Sequence, residues 1–171
     1  METLEGLYSA NVTPQSHGVA DLCHTCQNAR RPRNESMYAI KTAIANPDSP
    51  AWMFSDQKTM YGGKKIVAGD RIFIFASENE GGVGLIAVGT VTEAKTLDRR
   101  RGVARQTPRV SISVTRTGTA RRRLGRDELK PFDDWSDGRP ETELNFKFYR
   151  QATNKIVGLS EEATTFLCDF F

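Results

Sequence analysis

Between Arg71 and Val91 the chain reads RIFIFASENEGGVGLIAVGTV. Two short apolar runs rich in Ile, Phe and Val flank a polar segment ending in Gly81, Gly82 and Gly84. Apolar runs of about four to eight residues are strand lengths, too short for helices. A dinucleotide loop needs GxGxxG between a strand and a helix, so that the helix N-terminus meets pyrophosphate. Here the glycines lead into Leu85, Ile86, Ala87 and Val88, a second strand. A P-loop needs a Gly-Lys-Ser or Gly-Lys-Thr ending, which is absent here and in YGGKK at Tyr61–Lys65. Ser77–Val83 therefore reads as a hairpin connection whose glycines relieve backbone constraint.

The flanking sequence extends this pattern. SMYAIKTAI (Ser36–Ile44) reads as a strand stopped by Asn46, Pro47 and Pro50. RVSISVTRTG alternates Val110, Ile112 and Val114 against Ser111, Ser113 and Thr115. Gly89, inside an apolar run, predicts a bulge or a close backbone approach. A short helix is expected over 51–60, an arginine-rich loop and acidic turn over 117–142, and strand-like alternation at Leu144, Phe146 and Phe148. Ser160 caps a final helix with Ala163, Phe166, Leu167 and Phe170 on its buried face. Short strands, peripheral helices and no strand–helix repeat predict an α+β fold: a small, partly closed β-barrel. Residues 1–34 form an N-terminal extension, and 35–171 form the barrel domain, with an arginine-rich insertion at about 95–130.

A chain of 171 residues with 38% hydrophobic and 26% charged residues fits one soluble domain. No run approaches the roughly 20 apolar residues needed to span a bilayer, so no membrane partner is expected. The N-terminus lacks a secretory pattern, and Cys23, Cys26 and Cys168 are too few for a disulfide scaffold. Both features suit the cytoplasm. Charge is unevenly spread. Lys95–Lys130 holds twelve basic and three acidic residues, a local charge of +9, against twelve basic and eighteen acidic residues elsewhere, −6. Such a segment is what a polyanion meets first.

Chemistry-bearing groups are sparse. Cys23 and Cys26, with His17, give half of a zinc-site spacing but lack a second pair, so no metal or other cofactor is assigned. Both histidines, His17 and His24, lie in the extension. Trp52, Tyr61 and Trp135 sit in connections, where aromatic rings can stack on a base.

SMYAIKTAI, KKIVAGDRIFIFAS, GGVGLIAVGTVTEA and LNFKFYRQATNKIVGLSEEATTFLCDFF together resemble a PUA-like domain, most similar to the EVE branch, over residues 36–171. The resemblance implies a compact barrel with a pocket for modified bases in DNA or RNA. The function expected is a non-catalytic module that accommodates a base, modified or not, in an aromatic pocket. Tyr38, Trp52, Tyr61 and Trp135 are the stacking candidates, and Ser55, Asp56, Ser77 and Asn79 the polar ones. Arg99, Arg100, Arg101, Arg121, Arg122 and Arg123 would hold phosphates. The reading expects Trp52 and Trp135 at one cavity with the arginines alongside. The alternatives are an enzyme acting on a nucleotide or modified base through Asp56, Glu78 or Asp134, and a protein-interaction domain with a basic loop.

Overall fold

Alternation of side chains across each strand divides the apolar residues between two cores. The computed structural model describes residues 37–99, 101–150 and 154–171. The expected extension, with Cys23, Cys26 and His17, lies outside the described residues, as does Arg100. Six strands form a closed barrel: β1 (Met37–Thr42), β2 (Ala51–Met60), β3 (Arg71–Ala76), β4 (Gly84–Leu97), β5 (Arg109–Thr119) and β6 (Lys155–Gly158). Their order around the barrel is β1-β3-β4-β5-β2-β6. The β1–β3 and β2–β6 pairs are parallel and the others antiparallel. The α+β barrel expected from the sequence is the fold observed.

Tyr38, Ile40, Ile72, Ile74, Ile112, Val114 and Ile156 fill the barrel. The alternate residues Met37, Ala39, Phe73, Phe75 and Val157 point outward, under a helical layer. That layer contains α1 (Arg126–Leu129), α2 (Pro140–Asn145), a wide helical turn at Phe146–Arg150, and α3 (Glu161–Cys168). Leu129, Leu144, Phe148 and Leu167 seal it against the barrel. Because β1 and β3 are covered on both faces, they carry the apolar runs MYAI and IFIFA instead of an apolar–polar alternation. No described helix is long and apolar enough to cross a membrane.

Two elements differ from expectation. Residues 51–60 are a strand, because Trp52 and Phe54 turn inward while Met53 is 76% exposed, a two-residue period. Residues 144–148 are helical, because Leu144 and Phe148 are the buried pair, four apart, and Phe146 is only half-buried. Pro140 at the start of α2 and the acids Glu141 and Glu143 in its first turn favour a helix there. The expected loop over 117–142 contains the end of β5 and α1. The Ser160 cap is present, its Oγ accepting from the Ala163 N–H at 3.0 Å. Gly89 lies at a register shift of β4, and a Cβ there would stand 2.7 Å from the Thr115 carbonyl oxygen, as a close approach requires.

Candidate functional site

One break in the barrel wall is in β2. Its register against β5 shifts between Phe54 and Gln57, and Asp56 takes φ 55°, a left-handed conformation unusual for a residue with a side chain. The Asp56 N–H leaves the ladder and donates to Ser111 Oγ at 3.0 Å, while its carboxylate pairs with the Arg109 guanidinium. Thr59 anchors the far side through its N–H and hydroxyl, both donating to the Pro108 carbonyl at 2.9 and 3.0 Å. The connection between β4 and β5 thus stands off the bulge.

The gap is a cavity of about 650 Å³. Ser55, Asp56 and Lys58 of β2 line one side, and Asp98, Arg99, Arg105 and Gln106 of the connection line the other, with Arg109 and Ser111 at the base. Four cations face two carboxylates, one of which is committed to Arg109. A second cavity of about 310 Å³ adjoins it, sharing Asp56 and Lys58 and adding Thr42, Gln57 and Asn154. Asn154 is held by its N–H donating to the Lys41 carbonyl at 3.0 Å. One space is cationic, and the other carries hydroxyl and amide groups able to donate and accept.

A separate polar cluster lies under the helical layer. The side chain of Lys41 is 1% exposed, and its Nζ meets Glu78 Oε2 at 2.7 Å, an ion pair outside hydrogen-bond alignment. Tyr149 OH donates to Glu78 Oε1, which also accepts the Arg126 N–H at 2.8 Å. Lys41 Nζ stands 3.6 Å from the Tyr149 ring centre. Burial raises the affinity of Glu78 for its proton, but Lys41 and Tyr149 outweigh it and hold the carboxyl below its ordinary value of 4.5. Burial and the adjacent Glu78 carboxylate keep the Tyr149 phenol protonated far above neutrality. A carboxylate with a depressed folded value stabilises fully above its unfolded value and loses that contribution as pH falls through the folded one. Stability should therefore decline below about pH 4.5, and Glu78→Gln should flatten that part of an acid-unfolding curve.

The candidates named from sequence distribute over several places. Ser55, Asp56 and Arg99 come together at the large cavity. Arg101 is exposed on the same connection. Tyr38 faces the barrel interior at 2% exposure, so it presents no ring to a ligand. Ser77 is buried in the turn after β3, its carbonyl accepting from Glu80 and Gly82. Asn79 accepts from Arg126 at 3.1 Å. Trp52 packs on the barrel core and donates Nε1–H to the Asn46 carbonyl at 3.1 Å. Tyr61 and Trp135 both meet Phe146 edge-on, with ring centres 6.3 and 5.4 Å away.

The expectation of one cavity shared by Trp52 and Trp135 is therefore corrected. Trp52 is at the start of β2, whereas Trp135 reaches Tyr61, just past its end, through Phe146. At ~3.3 Å per residue the strand between these ends has a reach of up to about 30 Å. The arginine segment is likewise divided. Arg99 and Arg101 lie at one end of the β4–β5 hairpin and Arg121–Arg123 at the other. There Arg122 donates to the Asp169 carbonyl at 2.9 Å, and Arg123 pairs with Asp127 and Glu128. The carboxylates of the enzyme alternative are also dispersed: Asp56 pairs with Arg109, Glu78 with Lys41, and Asp134 accepts from Ser136 in an exposed turn. Sequence reasoning missed Lys58, Arg105 and Arg109, single cations less conspicuous than the triplets, and Thr42, Gln57 and Asn154. It also missed Lys41, whose signal was a lysine within an otherwise apolar strand.

The chain matches no family model and no curated protein. Solved structures do resemble it. The DUF55 domain of human thymocyte nuclear protein 1 superposes with a TM-score of 0.54 at 17% identity, covering 78% of this chain and 97% of that one. Human THYN1 protein, solved in complex with 5-methylcytosine-containing DNA, gives 0.53 at 15% identity over 78% and 96%. A protein of Pseudomonas putida gives 0.53 at 14% identity over 78% and 98%. Likeness at these identities establishes architecture, and with the closed six-stranded barrel and its short helices it shows that this chain has a small α+β PUA-like fold.

Proposed function

We propose that this protein binds nucleic acid at the β2 bulge, holding phosphates in the larger cavity and a base, modified or not, in the smaller one, without transforming it. The observation that carries this reading is the pairing of the two spaces at Asp56 and Lys58. Lys58, Arg99 and Arg105 supply charge without base preference, while Thr42, Gln57 and Asn154 match the donors and acceptors of a base edge. The base is thus read chiefly by hydrogen bonds, where an aromatic cage of Trp52 and Trp135 was expected. Commitment of Asp56 to Arg109 supports binding over proton transfer. The fold shared with a human protein solved on 5-methylcytosine-containing DNA supports the same ligand class.

The test is affinity as a function of salt. Single- and double-stranded DNA and RNA, with and without 5-methylcytosine, are titrated against the full chain. Each phosphate contact contributes about 0.7–0.9 to the slope of log K against log salt. Replacing Lys58, Arg99 and Arg105 together by Gln should reduce that slope by about 2 and weaken all sequences alike. No binding to any of these nucleic acids at low salt, or an unchanged slope in the triple variant, would refute the reading.

A further inference from the structure

Trp135 and Tyr61 are 43% and 42% exposed, and nothing in the paired cavities uses them. Both stand edge-on to Phe146. The Arg150 guanidinium lies over Trp135, 4.7 Å from its ring centre, and Lys147 Nζ is 5.1 Å from that of Tyr61. A cavity of about 340 Å³ opens beside the indole, bounded by Arg139, Thr142, Glu143 and Phe146. We infer that this cluster is a second site, which stacks an unpaired base of the same strand whose phosphates occupy the bulge cavity. The inference rests on the nucleic-acid reading above.

The rings stand on a preorganised base. Asp137 accepts from the Arg139 N–H at 2.8 Å and from the Thr142 hydroxyl at 2.9 Å, fixing the turn that carries Trp135. Lys147 binds Glu143 and the Gly158 carbonyl, both at 2.7 Å, fixing Phe146 next to it. Stacking on a fixed ring loses little conformational entropy. The chemistry selects a base over a phosphate. Asp137 is paired with Arg139 and the turn also carries Asp133 and Asp134, so little cationic charge is left for a phosphate, whereas every base has a face that stacks on an aromatic ring or on the Arg150 plane.

Position supports one strand crossing both sites. Tyr61 lies just past the end of β2, five residues after Asp56, at most about 16 Å of chain at ~3.3 Å per residue. Arg150 precedes Asn154 by four, at most about 14 Å of chain. Both spacings lie within the reach of a single strand of roughly 4–16 nucleotides.

Two oligonucleotides test the inference: a single-stranded DNA of about 12 nucleotides containing 5-methylcytosine, and a trinucleotide with the same central base. Trp135→Ala should bind the longer strand about tenfold more weakly and the trinucleotide unchanged, with Trp135→Phe restoring most of the loss. Trp52→Phe leaves Trp135 as the sole tryptophan, whose fluorescence the longer strand should quench and the trinucleotide should not. Should Arg105→Gln weaken both ligands while Trp135→Ala weakens neither and the fluorescence stays constant, the stacking site is wrong and the bulge site stands. If the unaltered chain binds neither ligand at low salt, both readings fail.

Discussion

Glu78→Ala is expected to destabilise the fold by about 3–5 kcal/mol, the range for removing one partner of a buried ion pair. The loss has three parts. Lys41, whose side chain is 1% exposed, loses its carboxylate partner and must either hold a buried charge or give up its proton, which burial and Arg126 already favour. The Tyr149 hydroxyl and the Arg126 N–H both lose their acceptor. For a barrel of this size the melting temperature should fall by about 10 °C or more. The double replacement Lys41→Met with Glu78→Gln removes the orphaned charge and keeps a carbonyl acceptor for Tyr149 and Arg126. It should remain within about 1–2 kcal/mol of the parent. Thermal and urea unfolding of the parent, the single variant and the double variant decide it. A Glu78→Ala protein as stable as the parent would show that Glu78 is not what holds Lys41, Tyr149 and Arg126 together.

Why the barrel was legible while the helices beside it were not comes down to period. Ile72, Ile74, Val110, Ile112 and Val114 alternate or sit in runs too short for anything but strands, and their partners are set by the barrel order. Leu144, Phe146 and Phe148 satisfy a period of two as written, yet Leu144 and Phe148 also satisfy a spacing of four. Only the presence of β1 and β3 beneath them selects the helical turn, through Phe148 resting on Phe75 with ring centres 4.7 Å apart. The site was partly legible for the same kind of reason. Ser55 and Asp56 are polar residues directly after an apolar run, which marks where a strand breaks, and Arg99 stands out as the first of three consecutive arginines. The partition of the arginines was not legible, because residue number does not show that a hairpin carries Arg99 and Arg121 to opposite ends. Nor was the parting of the two indoles, since the short helix expected over 51–60 would span about half the length of the extended strand that forms there.

Gly84→Ala should cost about 2–5 kcal/mol while leaving nucleic-acid affinity of the folded protein unchanged, which separates a packing glycine from a phosphate-binding one. Gly84 has φ +88°, and an L-residue pays about 1–2 kcal/mol for such a left-handed backbone. An added Cβ would also stand 2.3 Å from the Leu124 carbonyl oxygen and 2.6 Å from Gly125 Cα. Neither backbone group can yield cheaply. The Leu124 carbonyl accepts the Leu85 N–H at 2.8 Å, and Gly125 opens α1, its N–H donating to Glu128 at 2.8 Å. Forced displacement of packed atoms adds about 1–3 kcal/mol. Gly84 is therefore where the β3–β4 hairpin passes under the start of α1, beside the arginine that reaches Glu78. A phosphate loop would respond differently: a methyl group on its backbone would weaken anion binding and leave the melting temperature nearly unaltered. Measuring melting temperature and oligonucleotide affinity on the same Gly84→Ala preparation distinguishes the two. A stable variant with weakened binding would return the glycine segment to the ligand site, against the hairpin role assigned to it here.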